Sequence, residues 1–202
     1  MARRASAVAV ILSAASGIAA SMLDPSDHYR RFWGDCTAIA RWTKGKEQLL
    51  ANEPWVLQFE PSRGRSYWVY ATSGMSAMRR LGRKIELHLF SPVESVYHIE
   101  LLTAVAHYYA EGVALDLGHT VNFGRPWIPK SECEYGLITR PYGYGAKLEA
   151  DDANGDLAYL WLVPISERER EYKKTHGYEA LESLFESRKV NVIDAERRSA
   201  VR

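Results

Sequence analysis

One stretch restricts the possible folds of this chain more than any other: LAYLWLVPISERERE at residues 157–171, an apolar run followed directly by a charged run. Its first seven residues are all apolar and predict a strand that is covered on both faces. Pro164 has no N–H for strand pairing, so we expect the strand to end there. Ser166 and Glu169 have the spacing of a capping box, so a helix is expected to begin at once. Ser166 therefore has an architectural role in place of a catalytic one.

Two short helices are expected after this strand. Glutamates lead the first helix, and Lys173, Lys174 and His176 end it, which suits the helix dipole at both ends. Gly177 breaks the helix. The second helix, YEALESLFESR, presents a set of apolar side chains to the core: Tyr178, Leu181, Leu184 and Phe185.

The longest predicted helix lies in the middle of the chain, in SPVESVYHIELLTAVAHYYAEG at residues 91–112. Ser91 is the expected N-cap, because Pro92 suits the first helical turn and Glu94 stands three residues after the cap. Gly112 is expected to end the helix by adopting a left-handed conformation. The apolar stripe consists of Ile99, Leu102, Val105, Ala106 and Tyr109.

Several short strands surround this helix. Residues 55–60, 66–72 and 84–90 are rich in aromatic or β-branched residues and are expected to form an antiparallel meander. In the third of them, Glu86 and His88 alternate with leucines, which places the polar pair on one face and the leucines on the core face.

After the helix, residues 118–123 and 135–140 are the next strand candidates, and PYGYG and EADDANGD after them are expected to be exposed loops rich in turn formers. The predicted fold class is α+β, with a mixed, largely antiparallel sheet packed against a long central helix and two C-terminal helices. A single domain from residue 22 to residue 202 is expected.

The first twenty-one residues have two interpretations. Two arginines, an alanine-rich apolar run and a small-residue end give residues 1–21 the outline of a secretory signal peptide, which would make the protein an exported one. Alternatively the extension is an over-called start and the chain begins at Met22, which favours a cytoplasmic protein. Both interpretations set residues 1–21 aside as a leader.

Composition and motifs argue against several classes of function. A formal charge of +1, with no block of like charges, argues against a nucleic-acid surface, and no confident membrane span is present. Cys36 and Cys133 are expected to be free, buried thiols. GxSxG, GxxxxGKS and HExxH motifs are all absent, so no catalytic residue, cofactor or metal site is predicted.

Surface candidates remain. His119 lies in a polar break between the helix and the next strand, where a hydrogen-bonded structural role competes with a binding role. Trp127, in the loop FGRPWIP, is the tryptophan best placed for an exposed interface.

Several stretches, taken in order, resemble the Suppressor of fused domain family in its small bacterial form. These stretches are WVLQFEPSRGRSYWVYATSGMS, HIELLTAVAHYYAEG, LGHTVNF, LAYLWLVPISERE and GYEALESLFESRKVNVIDAERRSAV. The resemblance implies a non-enzymatic protein-binding module, and bacterial members are read mostly as immunity proteins that neutralise a partnered polymorphic toxin.

The resemblance also implies where a partner binds. In the family's animal member the region that matches GHTVNF helps to hold a peptide as an added strand, which favours Asp116, His119 and Asn122 as binding residues beside Trp127. A toxin domain is then the expected partner. Two alternatives stay open: a regulatory or scaffold protein with another protein partner, and a hydrolase that uses His119 and Asp116.

Overall fold

In the computed structural model of the protein, residues 8–13, 25–43, 54–78, 83–149 and 157–202 are described, with only the backbone of residues 8–13 and 41–43. The strands are β1 Val8–Ser13, β2 Ala38–Thr43, β3 Trp55–Phe59, β4 Trp68–Ser73, β5 Lys84–Ser91, β6 Thr120–Asn122, β7 Cys133–Thr139 and β8 Leu157–Ser166. The helices are α1 Pro25–Trp33, α2 Val96–Ala110, α3 Ala146–Glu149, α4 Glu167–His176 and α5 Tyr178–Ser187. A short 3₁₀ helix spans Met75–Met78.

All eight strands form one sheet in the order β1-β2-β3-β4-β5-β8-β7-β6. The β5–β8 pair is parallel and every other pair is antiparallel, which confirms the mixed, largely antiparallel sheet. The predicted meander is β3, β4 and β5. The three-residue strand β6 is the last strand at one end of the sheet.

Helices cover both faces of the sheet. The central helix α2 packs over β2 to β5, and α1 and α5 share a second core on the opposite face. Strand β8 supplies Ala158, Leu160 and Leu162 to the α2 core and Tyr159, Trp161 and Val163 to the other. This alternation confirms that the apolar run is covered on both sides. None of the helices in the described ranges is long and apolar enough to cross a membrane.

Pro164 does not end β8, so that prediction is wrong. The strand continues to Ser166, with Pro164 opposite Gly136 of β7. The parallel pairing with β5 stops at Trp161, so beyond that residue β8 has a strand neighbour on one side only. A residue without an N–H is tolerated where no second strand requires one. The capping box between Ser166 and Glu169 is present as predicted.

Ser91 is not the N-cap of the central helix. It is the last residue of β5, opposite Trp68, and its Oγ accepts a hydrogen bond from the N–H of Val93 at 3.2 Å. The helix begins at Val96, and the N-cap is Ser95, whose side chain accepts from the N–H of Tyr97. The motif at residues 91–94 forms a turn because sheet pairing extends through its first residue.

Residues 8–13, which the sequence placed in a leader, form β1. Val8 lies opposite Thr43 and Ser13 opposite Ala38. Residues 1–7 and 14–21 fall outside the described ranges. The role of residues 1–21 as a signal peptide or over-called start stays a prediction, and so does the domain boundary at residue 22.

The polar face of β5 is buried, contrary to the simple alternation expected of it. Glu86 and His88 are both fully buried because α1 covers this side of the strand. Within the described ranges neither ring nitrogen of His88 has a hydrogen-bond partner, and the ring lies among aromatic neighbours, 5.3 Å from Trp33 and 5.2 Å from Phe90 between centroids. This environment favours the neutral imidazole.

The buried histidine makes stability depend on pH. Burial, with a contribution from nearby His28, lowers the pKa of His88 from 6.5 to about 3. Between these two pKa values the unfolded chain binds a proton at His88 and the folded chain does not. The contribution of the neutral imidazole to stability is therefore complete above pH 6.5 and is lost as the pH falls towards 3. We expect protonation of His88 in the unfolded chain to lower the free energy of unfolding at pH 5 by about 2 kcal/mol relative to neutral pH.

Urea unfolding at pH 7 and pH 5 tests this dependence. His88→Phe removes this titrating group and is expected to reduce the difference between the two pH values by about 2 kcal/mol. Buried His98, whose pKa is lowered to about 4, keeps its own share of the dependence. Exposed His176→Gln is expected to leave the difference unchanged. The assignment to His88 is wrong if His88→Phe keeps the full difference between the two pH values.

Candidate functional site

The open edge of the sheet beside β6 is the first part of the candidate site. The N–H of Ile138 donates to the carbonyl of His119 at 2.9 Å, and the N–H of Phe123 donates to the carbonyl of Glu134 at 3.1 Å. In an antiparallel pair the groups that face the partner strand alternate along the chain. The N–H and C=O groups of Thr120 and Asn122 therefore face away from β7, towards the open edge.

A tight turn leads into this strand. The N–H of His119 donates to the carbonyl of Asp116 at 3.0 Å, and the Asp116 carboxylate accepts from its neighbour Leu117 N–H at 2.7 Å. The same carboxylate forms an ion pair with Arg83 at 2.5 Å. The exposed ring of His119 lies with Nδ1 3.0 Å from the carbonyl oxygen of Ala114. The structure thus brings Asp116 and His119 together through a backbone hydrogen bond, while their side chains have different partners.

This arrangement gives no support to a hydrolase. The hydrolase alternative pairs His119 with Asp116, and the Asp116 carboxylate is bonded instead to Arg83 and to its own turn. Among the described residues no group of three or more His, Cys, Asp or Glu side chains is placed to hold a metal ion. Cys36 and Cys133 are buried free thiols, as predicted, and burial raises the pKa of Cys133 to about 11.

A shallow groove runs between α2 and the β6 edge on one face of the sheet. Its cavity volume is about 190 Å³, and Tyr108, with 43% of its surface exposed, stands on its rim. Asn122 lies in the wall and its Oδ1 accepts from the N–H of Gly124 at 2.7 Å. An ion pair between Arg125 and Glu100, 2.7 Å long, neutralises the charge on this side. Apolar contact comes from Leu101, Ala104, Val105 and Phe123.

Trp127 is not part of this surface, and the expectation of an exposed interface residue is wrong. Only 1% of its surface is exposed. Its Nε1 donates to Nδ1 of His98 at 3.3 Å, and its ring meets Phe123 edge-on. The loop that carries Trp127 folds back over α2, which places the indole in the core.

On the opposite face of the sheet, four side chains form a hydroxyl–carboxylate cluster that the sequence did not reveal. Thr139 Oγ1 donates to Oε1 of Glu182 at 2.5 Å, and the Tyr142 hydroxyl donates to its other oxygen. The Tyr178 hydroxyl lies 2.7 Å from Thr139 Oγ1 and 3.1 Å from the Tyr142 hydroxyl. A weak signal was present, since the tyrosine-rich loop PYGYG begins two residues after the end of β7.

The cluster adjoins the turn that precedes β6. The N–H of Gly118 donates to the carbonyl of Ile138, the residue before Thr139, at 2.8 Å. A Cβ on Gly118 would lie 3.4 Å from the Tyr178 ring, so the turn packs tightly against that tyrosine. The open edge is therefore flanked by the groove on one face and by the hydroxyl–carboxylate cluster on the other.

Comparisons with known proteins agree on one family. A profile of the family described as Suppressor of fused protein (SUFU) matches residues 52–198. A solved homologue of suppressor of fused from Neisseria gonorrhoeae FA 1090 is 34% identical, with a TM-score of 0.69, over 87% of this chain and 94% of that one. The comparison with curated proteins gives no match.

Two more distant structures share the fold. The Sufu–Fu complex structure is 14% identical, with a TM-score of 0.65, over 87% of this chain and 90% of that one. Drosophila Suppressor of Fused is 13% identical, with a TM-score of 0.66, over 88% of this chain and 50% of that one, so this chain matches about half of that protein.

Proposed function

The chain belongs to the Suppressor of fused family, and from that premise we propose that it is a non-enzymatic protein-binding module that takes an extended segment of its partner as an added strand beside β6. The observation that carries the proposal is the open edge itself. Thr120 and Asn122 turn two pairs of backbone hydrogen-bonding groups outwards, which is the requirement for strand addition.

The surroundings of the edge suit a peptide. An added strand lies about 4.8 Å beyond β6, and its side chains alternate between the two faces. On one face a side chain would enter the groove beside Tyr108 and Asn122. One related structure is that of the Sufu–Fu complex, and we propose that this chain also binds a protein partner.

We further propose that the partner is the toxin domain of a polymorphic toxin and that this chain is its cytoplasmic immunity protein. The support is the likeness to small bacterial members of the family. An inhibitor requires a rigid scaffold and an interface of roughly 800 Å² on each partner. An eight-stranded sheet with helices on both faces provides such a scaffold.

Affinity capture of the tagged protein from its own cells, followed by mass spectrometry, tests the immunity role. One stoichiometric partner with a toxin domain at its C-terminus supports it, provided that expression of that domain arrests growth and co-expression of this chain restores it. Several regulatory proteins in place of one toxin would contradict immunity and favour the scaffold alternative.

Replacement of Thr120 tests the edge. Thr120→Pro removes an outward N–H and adds a ring at the edge, and it leaves the bonds to β7 in place. We expect it to weaken binding of the captured partner by at least about tenfold. Thr120→Val keeps the N–H and the branched shape, so it is the matched control and should bind normally. Equal binding by the two variants, measured by isothermal calorimetry, would place the partner elsewhere.

A further inference from the structure

Glu182 is a half-buried carboxylate that hydroxyl groups hold by hydrogen bonds. Its two oxygens accept from Thr139 and Tyr142, and within the described ranges no lysine, arginine or histidine nitrogen lies within ion-pair distance of it. On the other side of the β6 edge, Glu100 is neutralised by Arg125. The two carboxylates beside the edge therefore differ in their partners, since Glu100 has a cation and Glu182 has hydroxyl groups.

The hydroxyl groups hold this carboxylate in a fixed position. Burial and the neighbouring Glu182 carboxylate raise the pKa of Tyr178 far above its usual value, and burial with the hydrogen bond to Glu182 raises the pKa of Tyr142. Both phenols therefore stay protonated and act as donors. Neutral donors orient a carboxylate and leave its negative charge uncompensated.

The cluster also has an accessible aromatic surface. Tyr142 exposes 57% of its surface, the largest value among the exposed large apolar and aromatic residues of the described chain. An aromatic face next to a carboxylate attracts a lysine or arginine side chain by both cation–π and ionic interaction. Lys173 lies near the same turn, where its ammonium group donates to the carbonyl of Gly118, and it forms no ion pair with Glu182.

We propose that the hydroxyl–carboxylate cluster binds a basic side chain, lysine or arginine, carried by the partner segment that adds to β6. This inference rests on the proposed function, since it names the chemistry of the segment at the same edge. Tyr178 packs against Gly118 in the turn that leads into β6, so the cluster lies beside the start of the edge to which the segment adds. The segment would place an apolar side chain in the groove and the basic one on the opposite face.

A random 12-residue peptide library displayed on phage provides a test that needs no known partner. Peptides selected on the wild-type protein are counter-screened on Thr120→Pro and on Glu182→Gln. We expect peptides that lose binding on Thr120→Pro, that are enriched in lysine or arginine, and that bind Glu182→Gln about tenfold more weakly. Glu186→Gln removes a charge one turn further along α5, where the side chain is exposed, and is expected to bind normally.

The two possible failures give different results. Selected peptides that depend on Thr120 but show no basic enrichment, or that bind Glu182→Gln as well as wild type, overturn the basic-residue proposal and leave the edge intact. Failure to obtain peptides sensitive to Thr120→Pro contradicts strand addition itself. The basic-residue contact should also weaken as salt is raised from 0.05 to 0.5 M, roughly, because a partly exposed ion pair is screened.

Discussion

Arg197→Met is expected to lower the free energy of unfolding by about 3–5 kcal/mol, because it leaves the carboxylate of Glu169 buried without its cation. The guanidinium group donates to both oxygens of Glu169, at 2.6 and 2.9 Å, and to the carbonyl of Pro164 at 2.8 Å. Glu169 is fully buried and only 7% of the Arg197 side chain is exposed. The buried Glu169 carboxylate cannot reach solvent when its partner is removed.

The loss of stability is expected to extend beyond α4, because Glu169 connects three parts of the chain. It completes the capping box of α4 by accepting from the N–H of Ser166 at 2.8 Å, and it accepts from the N–H of Ala200 in the C-terminal tail at 2.7 Å. Arg197 also lies over the Phe185 ring of α5, 5.2 Å from its centroid. The pair therefore fastens the tail to β8 and to both C-terminal helices.

Urea unfolding with two further variants checks the reason for the loss. Lys174→Met breaks an exposed pair with Glu171, which is screened by solvent, and should leave the free energy of unfolding nearly unchanged. The double variant Glu169→Gln with Arg197→Met removes the stranded charge, so it should be more stable than Arg197→Met alone. A cost for Arg197→Met no greater than that for Lys174→Met would contradict this account.

This pair marks the limit of what the sequence predicts about the fold. The capping box between Ser166 and Glu169 spans three residues and was predicted, because capping is a local hydrogen-bond pattern. The second partner of Glu169 lies 28 residues away, and no local pattern connects it. The boundaries at Ser91 and Pro164 were predicted wrongly for a related reason: where neighbouring strands stop decides whether a serine caps or a proline is tolerated.

The candidate site divides in the same way. The strand GHTVNF, where the resemblance implied that a peptide adds as a strand, became β6, and its position at the end of the sheet follows from the strand order. The hydroxyl–carboxylate cluster was not predicted, because its contacts join Thr139 and Tyr142 to residues 36–43 positions away. Trp127 was misplaced because a loop position does not reveal that the loop folds back onto His98.

Glu86→Ala is expected to have a still larger effect, more than about 4 kcal/mol, because each buried donor left without an acceptor costs roughly 1–3 kcal/mol. The carboxylate is fully buried in β5 and holds the turn between β4 and β5 through hydrogen bonds from Thr72, Gly74, Met75 and Ser76, at 2.6–3.3 Å. Burial raises the pKa of Glu86, and the hydrogen bonds from Thr72, Ser76 and Gly74 lower it again. Alanine removes the acceptor for every one of these donors at once.

Glu86→Gln keeps the shape of the side chain but removes its charge and one of its acceptor oxygens. Its single carbonyl oxygen can replace one carboxylate oxygen, and its NH₂ group then faces donors that need an acceptor, so we expect a cost of about 2 kcal/mol. Hydrogen exchange gives a local measurement, with faster exchange expected at the amides of Gly74 and Ser76 while those of α4 keep their protection. Unchanged exchange at both amides would show that the turn is held by its packing against α2 and β5 instead. Since α2 also forms one wall of the groove beside β6, loss of this turn would reach the candidate binding edge through that helix.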